Sequence, residues 1–412
     1  MQDTELYSKI LGLQRPWRVT KVVLNLEQGR VDVWAEEEPN WDWKCPECVK
    51  VVPLYDHTEE QTWRHLDTCQ YETHLHVRLV RTDCPEHGVK QVPAAWAGPR
   101  SGFTLLFECH MIDTLKECDT LGATRLLSTN WDQTWAVVER AVARGQERKV
   151  RQVPEQIGID EKSFAKRHRY ETLVCDQKAG TVEYVVDDRK QESLESYYKQ
   201  FGKEDLSSIT SIAMDMWDPF IEATKACVPG ADEKIVFDRF HVTRYVTDAV
   251  DKVRKQESKA LAEVGDERLK GTRYLWLTNF ENLSERRQHE FEAVKWINLK
   301  TGRAWSLKES LRPFWDYRQE WRARAYFRRW YYWATHSRLA PMISAAKTLN
   351  RHLKNILTYI KHRITNATAE GLNSKIQMIK EMACGFRNRE HYKTAIYFHC
   401  GGLDLYPRPD VA

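Results

Sequence analysis

The stretch Ile157-Gly158-Ile159-Asp160 is a short apolar run that ends in an aspartate. The same pattern returns in Ile212-Ala213-Met214-Asp215 and in Ile235-Val236-Phe237-Asp238, with helical patterns between the runs. Short apolar runs are typical of buried strands, and strands that alternate with helices favour a sheet with helices packed on it. Because strands of one sheet end side by side, we expect these aspartates to converge at one edge of the sheet.

A glutamate far downstream can complete the acidic set. Residues 365–373 read Thr-Asn-Ala-Thr-Ala-Glu-Gly-Leu-Asn, and they predict a helix that begins near Asn366 and carries Glu370. The apolar residues of this helix form one stripe, whereas Glu370 and Asn373 fall on a polar face. Two strand-end aspartates together with Glu370 can hold two divalent metal ions, which is the machinery of phosphodiester chemistry.

Composition limits the classes of protein to consider. The chain has 412 residues, enough for two to four domains, and 42% of them are hydrophobic, which indicates a globular protein. Charged residues make up 30%, but the net charge is only +4, so evidence for nucleic-acid binding must come from local patches. No apolar run reaches the roughly 18 residues of a membrane span, and we expect none. The N-terminus lacks a signal-peptide core, so the ten cysteines favour a reducing cytoplasm.

Two cysteine-containing turns predict a metal site. Cys45-Pro46-Glu47-Cys48 and Cys84-Pro85-Glu86-His87 each place two ligands around a two-residue turn, as tetrahedral zinc requires. Strand periodicity between the turns would bring them together. We therefore predict a structural Zn²⁺ held by Cys45, Cys48, Cys84 and His87. Two alternatives stay open, namely reduced cysteines without a metal and replacement ligands from Cys69, His74 or His76.

Three helices with short joins are expected after this module, at Gly102–Leu115, Thr120–Ser128 and Trp131–Arg144. The third has one apolar stripe and one basic face, which fits a helix-turn-helix whose last helix enters the major groove of DNA. The alternative is a plain three-helix bundle with a solvated basic face. The predicted DNA-binding residues of this region are Gln133, Arg140, Arg144, Arg148 and Lys149.

The order of elements across residues 154–262 is predicted to be β-β-β-α-β-α-β-α, which suggests a mixed sheet. Residues 263–362 follow with a helical pattern in which arginines alternate with tryptophans and tyrosines. Basic residues beside aromatic ones suit DNA backbone contact and base stacking. The alternative is a helical subdomain whose aromatic residues form a core of their own.

These motifs together resemble the ISL-three family of bacterial insertion-sequence DDE transposases, and the resemblance covers nearly the whole chain. It rests on Asp160-Glu161, on residues 214–217 (Met-Asp-Met-Trp), on residues 238–242 (Asp-Arg-Phe-His-Val), on the motif around Glu370 and on residues 385–388 (Gly-Phe-Arg-Asn). The resemblance implies an α/β fold: a ribonuclease-H-like mixed sheet with an all-α insertion, preceded by a zinc-binding β module and a helix-turn-helix.

The resemblance also implies roles for the acidic residues. In such cores one aspartate lies on the first strand, a second ends the fourth strand, and the last acid lies on a helix after the fifth. Asp160, Asp215 and Glu370 then form the catalytic set and bind Mg²⁺ or Mn²⁺. Asp238 pairs with His241 as a family signature and competes with Asp215 for the second role. The other residues implied near the site are Asn373, with Lys375 and Arg387 as phosphate contacts or solvated charges.

The predicted domains are a zinc-binding β module (1–98), a helix-turn-helix (99–152), a first core part (153–262), a helical insertion (263–362) and a second core part (363–412). We expect a transposase that binds double-stranded DNA at the terminal inverted repeats and at the target, cleaves strands and transfers them. Because two element ends must be joined, we expect a dimer on DNA, in the cytoplasm at the nucleoid. The alternatives are an inactive DNA-binding regulator and a stand-alone nuclease of the same core.

Overall fold

The computed structural model describes residues 2–165, 169–295 and 299–408. The chain forms two compact units. The first consists of Met1–Val150 together with Ile379–Ala412, and the second is Arg151–Met378. Of residues 363–412, those up to Met378 belong to unit two and those from Ile379 onward to unit one.

A five-stranded sheet organises the first part of unit one. Its strands run in the order β1-β2-β4-β3, with β5 paired to β4, and the β2–β4 pair is parallel. Three tryptophans, Trp17, Trp63 and Trp96, form the centre of its core by edge-to-face contacts. The elements are α1 (Asp3–Ile10), β1 (Trp17–Asn25), β2 (Arg30–Glu37), β3 (Leu54–Thr68), β4 (Tyr71–Cys84) and β5 (Gly88–Gln91).

Four helices complete unit one. The three predicted helices are present as α2 (Leu105–Glu117), α3 (Thr120–Leu126) and α4 (Trp131–Arg148). Each begins at a side-chain cap, and Asn130 and Gln133 form a reciprocal capping box at the start of α4. The last helix of the chain, α17 (Arg389–Cys400), packs on α4, with the His391 ring 4.7 Å from that of Trp135.

A second five-stranded sheet forms the centre of unit two. Its strands are β6 (Gln156–Ala165), β7 (Arg169–Asp176), β8 (Thr181–Asp187), β9 (Ser211–Met214) and β10 (Ile235–Phe237). They run in the order β10-β9-β6-β7-β8. The pairs β6–β7 and β7–β8 are antiparallel, whereas β6–β9 and β9–β10 are parallel. The predicted mixed sheet is thus present, and its central strands are buried.

Helices cover this sheet and make up most of the described part of residues 263–362, as the sequence predicts. Sheet residues such as Ile212 and Phe237 belong to one continuous buried cluster with Trp276, Phe327 and Leu349 of the helical segment, so these aromatic and apolar residues share the core of the sheet. No described helix has both the length and the apolar character needed to cross a membrane. The helices are α5 (Gln191–Tyr198), α6 (Lys203–Ser207), α7 (Asp218–Cys227), α8 (Ala231–Lys234), α9 (Arg239–Ala262), α10 (Arg273–Leu277), α11 (Glu285–Lys295), α12 (Lys300–Leu311), α13 (Glu320–Thr335), α14 (Ala340–Arg351), α15 (Leu353–His362) and α16 (Ala367–Met382).

Candidate active site and zinc centre

The four predicted zinc ligands lie together in unit one. Cys45 and Cys48 belong to a tight turn before β3, Cys84 ends β4, and His87 lies in the turn that leads into β5. Their ligand atoms are all within 4.8 Å of one another. The Cys48 Sγ–Cys84 Sγ distance is 3.8 Å and the Cys84 Sγ–His87 Nδ1 distance is 3.5 Å. Tetrahedral zinc with bonds of about 2.0–2.3 Å needs ligand separations of about 3.5–3.8 Å, so the residues fit this metal.

Local electrostatics also suit a thiolate site. Burial by itself would raise the pKa of the Cys84 thiol, but hydrogen bonds from the backbone and side chain of His87 and from the Glu86 backbone help to bring it to about 6. The replacement ligands considered from sequence lie elsewhere. Cys69 is exposed, and His76 hydrogen-bonds Asp32 at 2.7 Å and stacks on Trp34. The cluster is a closed Cys3His set, which is typical of structural zinc.

Three aspartates meet at one edge of the sheet in unit two. In the parallel pairs, Gly158 is level with Ala213 and Phe237 with Met214. Two residues further along β6 and β9, Asp160 and Asp215 therefore reach the same level, and Asp238 follows β10 beside Asp215. The prediction that Asp160 ends its strand is wrong, because β6 continues to Ala165 against β7. Asp160 reaches the edge because its other neighbour, β9, stops at Met214.

Asp160 and Asp215 line one cleft of about 330 Å³, together with His241, Arg244 and Trp217. His241 Nδ1 lies 3.0 Å from Asp215 Oδ2, and the Asn373 amide donates a hydrogen bond to Asp160. Asp215 Oδ1 and Asn373 Oδ1 are buried, and among the described residues they have no hydrogen-bond partner. Asp215, which lines the cleft, therefore has an oxygen atom whose hydrogen-bonding capacity the described residues leave unused.

The two aspartates are held in an environment that disfavours their charge. Burial raises the pKa of Asp160 to about 6, and the nearby charge of Asp215 adds to the increase. Burial likewise raises the pKa of Asp215 to about 7, with further contributions from the charges of Asp238, Glu161 and Glu370. Carboxylate and amide oxygens are the ligands of Mg²⁺ in proteins, and a divalent cation would relieve this repulsion. The residues present fit such a cation.

Glu370 lies beside this cleft rather than in it. It is exposed on the first turn of α16 and lines a neighbouring cavity of about 610 Å³ with Asp238, Arg239 and Arg244. Arg244 lines both spaces. Among the described residues, the only tight group of three or more potential metal ligands is the Cys3His cluster. The structure thus brings Asp160 and Asp215 together and places Glu370 near them, but the three carboxylates do not form one tight group of ligand atoms.

Asp238 has a different environment from Asp215. It is 3% exposed and caps α9, where one carboxylate oxygen accepts the Phe240 N–H at 2.6 Å. The other oxygen accepts the Asn366 N–H at 2.7 Å. Each oxygen therefore accepts one backbone N–H, and Asp238 connects the end of β10 to the start of the glutamate helix.

Asn366 is a positioning residue that sequence reasoning missed. It is fully buried, and its side-chain oxygen accepts a hydrogen bond from Gln177 at 2.9 Å. The two amides meet over Gly158, where an added Cβ would lie 2.2 Å from Gln177 Nε2. An asparagine just before a helix, such as Asn366, is typical of an N-cap. Nothing in the sequence indicated its partners, which lie on other elements of the sheet.

Most of the cations predicted to bind DNA have partners inside unit one. Arg140 pairs with Glu108, whose side chain is 2% exposed. Arg144 donates to the Leu405 carbonyl at 2.7 Å, Arg148 to the Tyr406 carbonyl at 2.7 Å, and Lys149 to the Gly401 carbonyl at 3.0 Å. The segment 401–406 thus lies along this face of α4. Sequence reasoning missed the contacts of Arg144, Arg148 and Lys149, because their partners follow more than two hundred residues later.

This close approach of the C-terminal segment depends on a glycine inside α4. A Cβ at Gly145 would lie 2.7 Å from Leu403 Cβ. The remaining predicted DNA contacts are exposed: Gln133 at the start of α4, Lys375 on α16 and Arg387 before α17.

Comparison with known proteins gives matches over both sites. The family model for the DDE domain of ISL-three transposases, described as transposase, matches residues 157–396, and the zinc-finger of transposase IS204/IS1001/IS1096/IS1165 matches residues 41–87. The transposase for insertion sequence element IS1557 of Mycobacterium tuberculosis, strain H37Rv, is 28% identical over 370 residues, covering 84% of this chain and 83% of its own. The transposase for IS1001 of Bordetella parapertussis is 26% identical over 353 residues, covering 84% and 86%.

Proposed function

The chain belongs to the ISL-three family of DDE transposases, enzymes that transfer polynucleotide strands, and from this premise we propose how its residues act. It binds the terminal inverted repeats of a bacterial mobile element, cleaves DNA strands there and joins them to target DNA. The observation that carries this proposal is the pairing of Asp160 with Asp215 at the ends of parallel strands, beside the helix that carries Glu370.

In this proposal Asp160, Asp215 and Glu370 hold divalent Mg²⁺ or Mn²⁺. Two such ions, when bound, would supply activation of the attacking water or 3′-hydroxyl and charge stabilisation at the leaving oxygen. The protein contributes position: Asn373 fixes the Asp160 carboxylate, and His241 holds one oxygen of Asp215. Oδ1 of Asp215, which has no described hydrogen-bond partner, is proposed to bind the ion.

Asp215, rather than Asp238, is the proposed second acid. Asp238 lines the larger cavity but uses both oxygens to accept backbone N–H groups, whereas Asp215 keeps a buried oxygen without a described partner. Each Asp238 oxygen already gives one of its two lone pairs to a backbone donor, so the carboxylate is held at the starts of two helices and has less capacity left for a metal than Asp215 has. Asp238 is proposed as a positioning residue for α9 and α16.

DNA recognition is proposed for unit one, where α2, α3 and α4 would act as a helix-turn-helix beside the zinc module. Gln133, Lys375 and Arg387 stay proposed DNA contacts because they are solvent-exposed. We propose that the main role of four cations is to stabilise unit one through intramolecular contacts; these are Arg140, Arg144, Arg148 and Lys149. A mobile element has two ends, so we propose a dimer on DNA, working in the cytoplasm where its chromosomal substrate lies.

An inactive regulator and a stand-alone nuclease are the competing functions. A labelled duplex carrying the element end, incubated with Mg²⁺ and a second unlabelled DNA, separates all three. A transposase gives cleavage at the end together with joined product, a nuclease gives cleavage without joining, and a regulator gives binding alone. The Asp160→Asn variant is the control, because cleavage that persists in it would come from a contaminant or from another site.

A further inference from the structure

Helix α13 divides its aromatic residues between two environments. Phe327 and Trp330 are buried in the core of unit two. Trp321, Tyr332 and Trp333 are instead 65%, 66% and 48% exposed. Large apolar side chains grouped at the surface mark an interaction site, because burying them on a partner is favourable.

Arginines share the exposed side of α13 with these aromatic residues. At about 100° per residue, Trp321, Arg322, Arg328, Arg329, Tyr332 and Trp333 fall within a sector of roughly 140° and span about 18 Å along the helix axis. We call these six residues the α13 face. The only acidic residue of the helix, Glu320, lies outside this sector and pairs with Arg324. Arg322 lies over the Trp321 ring at 5.2 Å.

We propose that the α13 face binds unpaired, single-stranded DNA. Bases can stack on Trp321, Tyr332 and Trp333, while the arginines contact phosphates of the same strand. In an intact duplex the base faces are already stacked on one another, so the aromatic residues of this face would find no partner there. The inference rests on the proposed function and adds to it a second DNA contact, which holds a strand separated from its complement during transfer.

A second copy of this chain fits the α13 face less well than DNA does. In a symmetric pair the same patch meets itself, so Arg322, Arg328 and Arg329 would approach the equivalent arginines of the other copy. No acidic residue lies within the face to balance them. A polyanion provides that balance along its whole length.

The test measures binding by fluorescence anisotropy in the full-length, zinc-loaded protein carrying Glu370→Gln, which removes cleavage from the assay. The probes are a labelled 20-nucleotide oligothymidine and a labelled element-end duplex. Trp321→Ala with Tyr332→Ala should weaken binding of the single strand at least about 10-fold, since each stacked base contributes substantially. Binding of the duplex should change less than about 2-fold.

Two matched variants guard against a general loss of fold. Trp321→Phe with Tyr332→Phe keeps both rings and should retain most of the single-strand affinity. Tyr274→Ala removes another aromatic residue of the same unit, 58% exposed, and should leave both affinities unchanged. Arg328→Gln with Arg329→Gln should lower the slope of log K against log salt for the single strand by about 0.7 per arginine.

Equal losses for single strand and duplex, or unchanged single-strand affinity, would overturn the inference. So would a change in self-association without a change in DNA affinity, measured by sedimentation, because that outcome would make the face a contact between copies. The binding assay does not require strand cleavage or strand joining. If the wild-type protein failed to cleave element ends while the aromatic variant lost single-strand binding, the proposed function would fail and this inference would stand.

Discussion

The Cys3His cluster and the proposed carboxylate site of this protein are built in opposite ways. The Cys3His cluster takes its four ligands from two turns within one small sheet, and their atoms lie within 4.8 Å of one another. The carboxylate site takes its residues from two strands and a helix that are far apart in sequence, and it stays open to a cleft of about 330 Å³. A closed set of ligands serves folding, whereas an open set leaves room for substrate.

The two sites also differ in how their surroundings change the pKa values of the residues in them. In the zinc site, hydrogen bonds help to lower the pKa of Cys84 to about 6 and so favour the form that binds metal. In the carboxylate site, burial raises the pKa of Asp215 to about 7, and neighbouring acids raise it further. Perturbed carboxylates of this kind cluster at functional sites, where they are kept at a cost in stability.

Loss of zinc should have the largest effect. Cys45→Ser removes one of four ligands, and because structural zinc supplies about 10 kcal/mol or more of apparent folding free energy, the N-terminal module should unfold. Elemental analysis of the wild-type protein should find about one zinc per chain, and limited proteolysis should show new cleavage between residues 41 and 98 in the variant. Full zinc content in Cys45→Ser would mean that the metal is held elsewhere.

Removal of single carboxylates should stop the chemistry without unfolding the protein. Asp160→Asn, Asp215→Asn and Glu370→Gln should each lower strand cleavage at least about 10³-fold, since each acts on charge at the reacting centre. The melting temperature should stay unchanged, or rise for Asp215→Asn because a buried repulsive charge is removed. In the wild type, chelation of divalent ions should stop cleavage and added Mg²⁺ should restore it, provided that zinc is retained. An active Asp215→Asn variant together with an inactive Asp238→Asn variant would reverse the assignment of the second acid.

Arg140→Ala should destabilise unit one by about 2 kcal/mol, because it removes the nearer cation of the buried Glu108 and leaves only Arg144, at 3.9 Å, to balance that charge. Adding Glu108→Gln should recover most of that free energy of unfolding, measured by urea denaturation. We expect affinity for element-end DNA to fall and recover in parallel. Affinity that stays low in the stable double variant would instead show that Arg140 contacts DNA, as the sequence alone suggested.

Asp238→Ala should cost about 2 kcal/mol of stability in unit two, since it removes a helix cap and leaves the buried Asn366 N–H without an acceptor. Cleavage should fall with it, because the start of α16 and hence Glu370 lose their tie to β10. Unlike Asp215→Asn, this variant should keep measurable activity when Mg²⁺ is saturating. Complete inactivity with an unchanged melting temperature would point to a direct role at the metal.

The smallest expected effect is on the pH dependence of stability in unit one. Burial lowers the pKa of His65 to about 4, below its unfolded value of 6.5. The unfolded chain therefore binds more protons between these values, so the stabilisation is complete above about pH 6.5 and is lost as the pH falls. The wild type should lose roughly 0.7 kcal/mol from this group between pH 7 and pH 6. His65→Gln should lack that part of the slope, and identical slopes would contradict the argument.

The sequence predicted what depends on local spacing and missed what depends on distant partners. The zinc ligands could be predicted because each pair brackets one turn. The meeting of Asp160 and Asp215 at one edge of the sheet could be predicted because each follows a short apolar run. The length of β6 could not be predicted, since it depends on pairing with β7. The joint role of Asp238, Asn366 and Gln177 arises only after three elements pack together. Arg144 was interpreted as a DNA contact because the sequence does not show that Leu405 meets it.

The joining of Met1–Val150 with Ile379–Ala412 into one unit has a consequence for biosynthesis. During translation, the partners of Arg144 and Lys149 and the helix that packs on Trp135 leave the ribosome only after the whole of Arg151–Met378 has been made. A nascent chain thus carries Asp160, Asp215 and Glu370 before its first unit is assembled. A message cut short before codon 379 would yield residues 151–378 without the C-terminal part of unit one, and the DNA binding proposed for that unit should then be lost.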